Sequence, residues 1–223
     1  MTSSNKIYLV GSGPSLAVTP MDDLGGDVMV MNKFGRMAKY HGWKIKPKYY
    51  FKIDHSTVDM TQKEEIQWGV ENCEHLYLWE MFKTGYREGH PNFDTMPDGV
   101  GELANTTWIP KCKHYFHYDN WKAVKEWHLP ELCTAFGGMS TMIQIASTLG
   151  YDEIHLLGCD LGYTDDVNKN HAIPAYTEDK RDKSVMDDGN MTALHKMAKR
   201  CCTIPIFNAT IGGSLEIYPR VSL

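Results

Sequence analysis

The sequence has no basic run, no Cys-x-x-Cys pair and no apolar stretch of bilayer length. Each absence excludes a class of protein. A membrane-crossing helix needs about 20 consecutive apolar residues, so no transmembrane segment is expected. The opening MTSSNK lacks the apolar core of an export signal and runs straight into a strand-like segment, so the expected compartment is the cytoplasm. There Cys73, Cys112, Cys133, Cys159, Cys201 and Cys202 read as reduced, mostly buried thiols. The net charge is −5, from 23 Lys and Arg against 28 Asp and Glu. No electrostatic footprint for nucleic acid is present. A small anionic ligand remains open, because backbone N–H groups and a few cations suffice to hold one.

What is present is an ordinary globular composition, 42% hydrophobic and 23% charged over 223 residues. That length suits one nucleotide-binding α/β domain spanning 1–223, with a substantial core. Short apolar runs predict strands at 6–10 (KIYLV), 28–31 (VMVM), 49–53 (YYFKI), 75–79 (HLYLW), 153–157 (EIHLL) and 203–207. Helical patterns fall at 33–40, 61–70, 138–149 and 187–200. The third of these is apolar on nearly every face, which predicts a buried helix, with Gly150 as its stop. Alternating strands and helices imply a Rossmann-like, mostly parallel sheet with helices on both faces. Two stretches break the pattern. Residues 80–130 read as an irregular insertion or lid, with one helix near 120–127, and residues 161–186 read as a polar lid loop.

Ligands of such sheets sit beyond the carboxyl ends of the strands. The residues there are 11–16, Asn32, Asp54 with His55, Asp160 and Asn208. The loop Gly11-Ser12-Gly13-Pro14-Ser15-Leu16 lets backbone N–H groups approach a phosphate and aims the next helix at it; the alternative is a tight turn without a ligand. It is not a dinucleotide fingerprint, since Leu16 takes the third glycine position and Asn32 stands where an acidic ribose contact would be. Gly137 and Gly138 either expose N–H groups to a second anion or base edge, or permit close helix packing. Asp160 suits a ribose or sugar hydroxyl or a metal, and equally an N-cap or Asx-turn. His171, in NHAIPAY, has the chemistry of a general base, although a loop histidine is more often a surface residue. Lys180, Arg181, Lys183 and Arg220 are possible anion contacts, each with a solvated surface as the plainer reading. His114 and His117 have metal-like spacing but no nearby partner set, so no metal site is assigned.

Four segments in order resemble a known superfamily: GSGPSL at Gly11, the asparagine at Asn32, FGGMSTMIQIASTLGYDEIHLLGCDLGY from Phe136, and FNATIGGSLEIYPRV from Phe207. They are similar to the sialyltransferases of glycosyltransferase family 42 and to the MptE-like proteins, among them an archaeal 6-hydroxymethylpterin diphosphokinase. The resemblance covers most of the chain and is weakest over 80–130. In the sialyltransferases the GNGPSL loop and the strand asparagine hold the cytidine nucleotide, a lid histidine is the base, and tyrosines hold the phosphate. The resemblance therefore implies nucleotide contacts at Gly11, Ser12, Gly13, Pro14, Ser15 and Asn32, to which the strand-end positions add Asp54 and Asp160 and the glycine helix start adds Gly137 and Gly138 as candidate contacts. It implies His171 as base, with Tyr163 and Tyr176 on the leaving phosphate. The chain departs from the family where Ser12 replaces the loop asparagine, Gly162 follows Asp160 with Tyr163 displaced by one, and Thr134 replaces an arginine.

The implied function is an inverting glycosyltransferase acting on a nucleotide-activated, CMP-linked acidic sugar, with a small or glycan acceptor, in surface polysaccharide synthesis. It requires no cofactor and admits a homo-oligomer. One alternative is an MptE-like diphosphokinase moving diphosphate from ATP to a pterin-like alcohol, with Mg2+ near Asp54 and Asp160. The other is a non-catalytic nucleotide-binding module.

Overall fold

The computed structural model describes residues 4–53, 62–85, 98–110, 127, 132, 137–162, 164, 166, 169–174 and 188–223. Seven strands form one sheet: β1 (Lys6–Val10), β2 (Asp27–Met31), β3 (Tyr49–Lys52), β4 (His75–Trp79), β5 (Thr106–Ile109), β6 (Glu153–Leu157) and β7 (Ile206–Asn208). Their order is β5-β4-β3-β2-β1-β6-β7, and every pairing is parallel. β1, β2, β4 and β6 are each buried at every position after the first. Continuous apolar runs in place of alternation are what two covered faces require.

The helices are α1 (Phe34–His41), α2 (Gln62–Asn72), α3 (Met81–Thr84), α4 (Gly138–Ala146) and α5 (Asp188–Cys201). Side chains of successive strand residues point to opposite faces. On β3, Tyr50 meets Gly69 of α2 and Lys52 reaches Glu65 of α2, while Phe51 approaches Gly138 of α4. So α2 and α4 cover opposite faces. α4 is buried from Met139 to Ala146, as its all-round apolarity predicts. It stops at Ala146, not Leu149, and the next residues tighten into a turn. The hydroxyls of Ser147 and Thr148 bond back to the carbonyls of Gln144 and Ile145, competing with the helix ladder. Gly150 then takes φ 79°, open mainly to glycine.

Three expectations change. The 80–130 stretch is not wholly irregular, since it contains α3 and the edge strand β5; β5 is short and half exposed, so its apolar signal is weak. The last strand begins at Ile206, past Pro205, and ends on Asn208, which is therefore part of the strand. Between β1 and β2 there is no α-helix. Two short 3-10 helices, Pro14–Val18 and Met21–Asp23, make that crossover. Cys73, Cys159, Cys201 and Cys202 are thiols, and of these only Cys159 is fully buried; Cys112 and Cys133 lie outside the described residues. Among the described residues no helix is long and apolar enough to cross a membrane.

Candidate active site

The chain runs from β1 through β5 toward one edge of the sheet, and β6 and β7 extend toward the other. This reversal makes the carboxyl ends of β1 and β6 the topological switch point, where open α/β sheets form their ligand crevice. The loop 11–16 leaves β1 there, with Asn32 ending β2 on one side and Asp160 following β6 on the other. Val10 is level with Val30 and with Leu157. Ser12, Asn32 and Asp160 thus share one edge, as the sequence predicts.

The loop is glycine-rich because β6 presses on it. A Cβ on Gly11 would stand 2.6 Å from the Gly158 carbonyl oxygen, and one on Gly13 would stand 1.9 Å from Asp160 Oδ2. The Gly11 and Gly13 amides donate to the carbonyls of Leu157 and Gly158 at 2.8 and 2.9 Å. The Leu16 amide turns back to Gly13 O at 3.2 Å. The Ser15 amide and hydroxyl donate to Asp160 Oδ1 and Oδ2 at 3.1 and 2.8 Å. The expected cradle of outward amides with a helix behind it is therefore corrected: four of these amides serve internal partners, and the following helix is 3-10. The Asp160 carboxylate bridges the two loops. Burial raises its pKa, and the Ser15 bonds oppose the rise.

Beyond β6 the backbone is tightly wound, with positive φ at Gly158, Leu161 and Gly162. Asn32 also has positive φ, at 49°, a conformation asparagine tolerates. Of the three non-glycine residues with positive φ among those described, Asn32 and Leu161 border this crevice, where backbone strain commonly marks function. The 210–215 segment closes over the Asp160 loop, with the Ser214 amide on Asp160 O at 2.6 Å.

Ser12 is what the loop turns toward residues 171–172. Its Oγ lies 3.1 Å from His171 Nδ1, and its carbonyl accepts the Ala172 amide at 2.9 Å. The Ala172 carbonyl in turn accepts His41 Nε2–H at 2.9 Å, and the His41 ring stacks on Trp43. Three hydrogen bonds thus seat residues 171–172. Burial drives the His171 pKa down to about 4; the Ser12 contact opposes this, and the positive charge of Lys33 adds to the depression. The imidazole is therefore neutral at physiological pH, and a weaker base than a free one.

Several expected residues take structural places. A Cβ on Gly138 would stand 2.8 Å from Met31 Cε, the close-packing alternative, and Gly137 takes a φ of 77° to begin α4. Asn208 is fully buried, bonding the Leu215 carbonyl and the Thr210 amide. Arg220 is not an anion contact: its guanidinium binds the carbonyls of Thr210, Gly212 and Gly213 and the Glu216 carboxylate. Asp54, His55, His114, His117, Thr134, Tyr163, Tyr176, Lys180, Arg181 and Lys183 lie outside the described residues. No group of three or more His, Cys, Asp or Glu able to hold a metal occurs among the described residues, so around Asp160 they offer no magnesium cluster. Lys33, which directly follows Asn32, is buried at the head of α1.

No protein-family model and no curated protein matches the sequence. Solved structures do match in fold. The monofunctional α-2,3-sialyltransferase Cst-I of Campylobacter jejuni is 17% identical, covering 100% of this chain and 82% of its own, with a TM-score of 0.57. Campylobacter jejuni CstII in complex with cytidine-5'-monophosphate is 18% identical, covering 98% and 85%, with a TM-score of 0.54. CST-II in complex with a trisaccharide acceptor and CMP is 15% identical, covering 98% and 86%, with a TM-score of 0.53. The MptE-like branch of the resemblance gains no support from these matches. The chain has a sialyltransferase-like α/β fold.

Proposed function

We propose that the protein is a glycosyltransferase that moves a sugar from a CMP-linked donor to an acceptor hydroxyl. One observation carries the reading: His171, neutral and seated on Ser12, stands at the switch point of a fold shared with a sialyltransferase solved in complex with cytidine-5'-monophosphate. In this reading the acceptor O–H gives its proton to His171 as its oxygen attacks the anomeric carbon. The bond from that carbon to the phosphate oxygen breaks, CMP departs with the electron pair, and the configuration inverts. General-base assistance of this kind contributes about 10²- to 10⁴-fold. Ser12 holds the ring, while Asn32 and the loop position the nucleotide. Tyr163 and Tyr176 are assigned to the leaving phosphate. An acidic sugar, a glycan acceptor and a role in surface polysaccharide synthesis complete the proposal.

His171→Ala is expected to lower kcat by at least about 10²-fold while CMP still raises the melting temperature. Full activity in this variant would remove His171 from the mechanism. Thermal shifts with CMP, CDP, UDP, and ATP with or without magnesium test the donor, since a ligand that binds only the folded state stabilises it. Selective, metal-independent CMP stabilisation supports the reading. Metal-dependent ATP stabilisation overturns it in favour of phosphoryl transfer.

A further inference from the structure

The last turn of α1 reaches across to the segment that carries His171. A histidine near a helix C-terminus can bond that helix's own last carbonyls. Here the Ala38 carbonyl is met by backbone, through the amides of Gly42 and Trp43. His41 instead places Nε2 2.9 Å from the carbonyl oxygen of Ala172, 131 residues along the chain. A carbonyl only accepts, so the proton sits on Nε2 and the direction of the bond is fixed. Gly42 turns the chain back with φ 73°. Trp43 then stacks on the imidazole, with centroids 4.7 Å apart and 16° between the planes. Trp43 stacks in turn on Phe34, which is fully buried. A column of rings anchored in the core thus aims the donor.

The Ala172 residue is also held through its amide, which donates to the Ser12 carbonyl at 2.9 Å, and Ala172 and Ile173 are both buried. His171 comes just before, with Nδ1 3.1 Å from Ser12 Oγ. Its ring can keep that contact only while its backbone is held, and a misplacement of about 1 Å can lower a catalysed rate about 10²-fold. We propose that His41 is a positioning residue of this site: its Nε2–H, aimed by the stack on Trp43, holds the Ala172 carbonyl and so keeps His171 against Ser12. Its importance for catalysis rests on the reading of His171 as the base, given above; the positioning rests on the contacts alone. His41 acts through the 171–172 backbone.

Nuclear magnetic resonance titration of the full chain with labelled histidines tests this in wild type, His41→Phe and His41→Gln. The phenyl ring keeps a stacking partner for Trp43 but has no donor. The glutamine amide keeps a donor near the place of Nε2. Wild-type His171 is expected to titrate near 4. In His41→Phe the ring is released to water, and its pKa rises clearly toward 6.5. Solvent exchange of the Ala172 amide quickens about tenfold or more. His41→Gln stays close to wild type in both. His195 on α5, buried with a pKa of about 4, keeps its titration and reports an intact fold. Wild-type behaviour of His171 and Ala172 in His41→Phe overturns the proposal. An equal rise in the Phe and Gln variants also overturns it, tracing the effect to the charge of His41. A shift of His195 alongside His171 overturns it as general loosening, and a wild-type His171 already near 6.5 overturns it because the ring is then not seated. None of these readouts needs a substrate. A released His171 in His41→Phe, with full activity in His171→Ala, keeps the positioning role and removes the base. An unmoved His171, with an inactive His171→Ala, does the reverse.

Discussion

Lys52 and Glu65 show what a single residue is worth beneath this site. Their side chains are 2% and 6% exposed and meet at 2.7 Å, joining the last residue of β3 to α2. The ammonium also lies 5.9 Å from the Phe82 ring centroid, while Glu65 Oε1 has no hydrogen-bond partner. The attraction within such a pair barely offsets the loss of hydration, whereas removing one member strands the other. Glu65→Ala is therefore expected to cost about 3–5 kcal/mol in urea unfolding. The double change Lys52→Met with Glu65→Leu should recover most of that loss. A small effect of Glu65→Ala would mean that water reaches Lys52. Neither residue is conspicuous in the sequence, where Lys52 is one residue of the run YYFKI. Only the arrival of α2 across that face makes it a buried charge.

At the scale of elements, the site is two loops pressed together, and glycine is the condition of their contact. Gly13 has no room for a Cβ, with Asp160 Oδ2 at 1.9 Å and the Gly158 carbonyl at 2.7 Å, whereas Gly25 has nothing within 4 Å. Gly13→Ala must displace backbone and is expected to destabilise by roughly 1–3 kcal/mol, in line with overpacking elsewhere. It should also part Ser15 from Asp160. Gly25→Ala should be neutral or slightly stabilising. Comparison of the two urea midpoints checks this, and equal values would mean the loops are not in contact. The glycine pattern marked the loop in the sequence. Its partner could not be read there, because 145 residues separate Ser15 from Asp160. A cradle of amides for phosphate was the natural reading of GSGPSL taken alone; the approach of β6 redirects those amides.

For the whole molecule, burial of histidine ties stability to pH. His171 and His195 both fall from an ordinary 6.5 to about 4, chiefly through burial. Between these values the unfolded chain binds more protons than the folded one, so stability rises with pH across that window. It is complete above about 6.5 and declines as pH falls toward 4. The urea midpoint is expected to drop between pH 6.5 and 4.5. His195→Gln, which keeps a polar group near Tyr218, should flatten part of that slope. A midpoint independent of pH would show that neither imidazole is buried neutral. The sequence by itself determined the alternation of strands and helices, the buried nature of α4 and the place of residues 11–16, Asn32 and Asp160 at the carboxyl ends of β1, β2 and β6, because local apolar period and turn chemistry depend only on near neighbours. The tertiary structure decided the strand order that brings β1 against β6. It also decided the loop donors that became internal, the seat of His171 on Ser12 and the burial of Lys33, since each depends on residues far apart in the chain competing for one volume from which water is excluded.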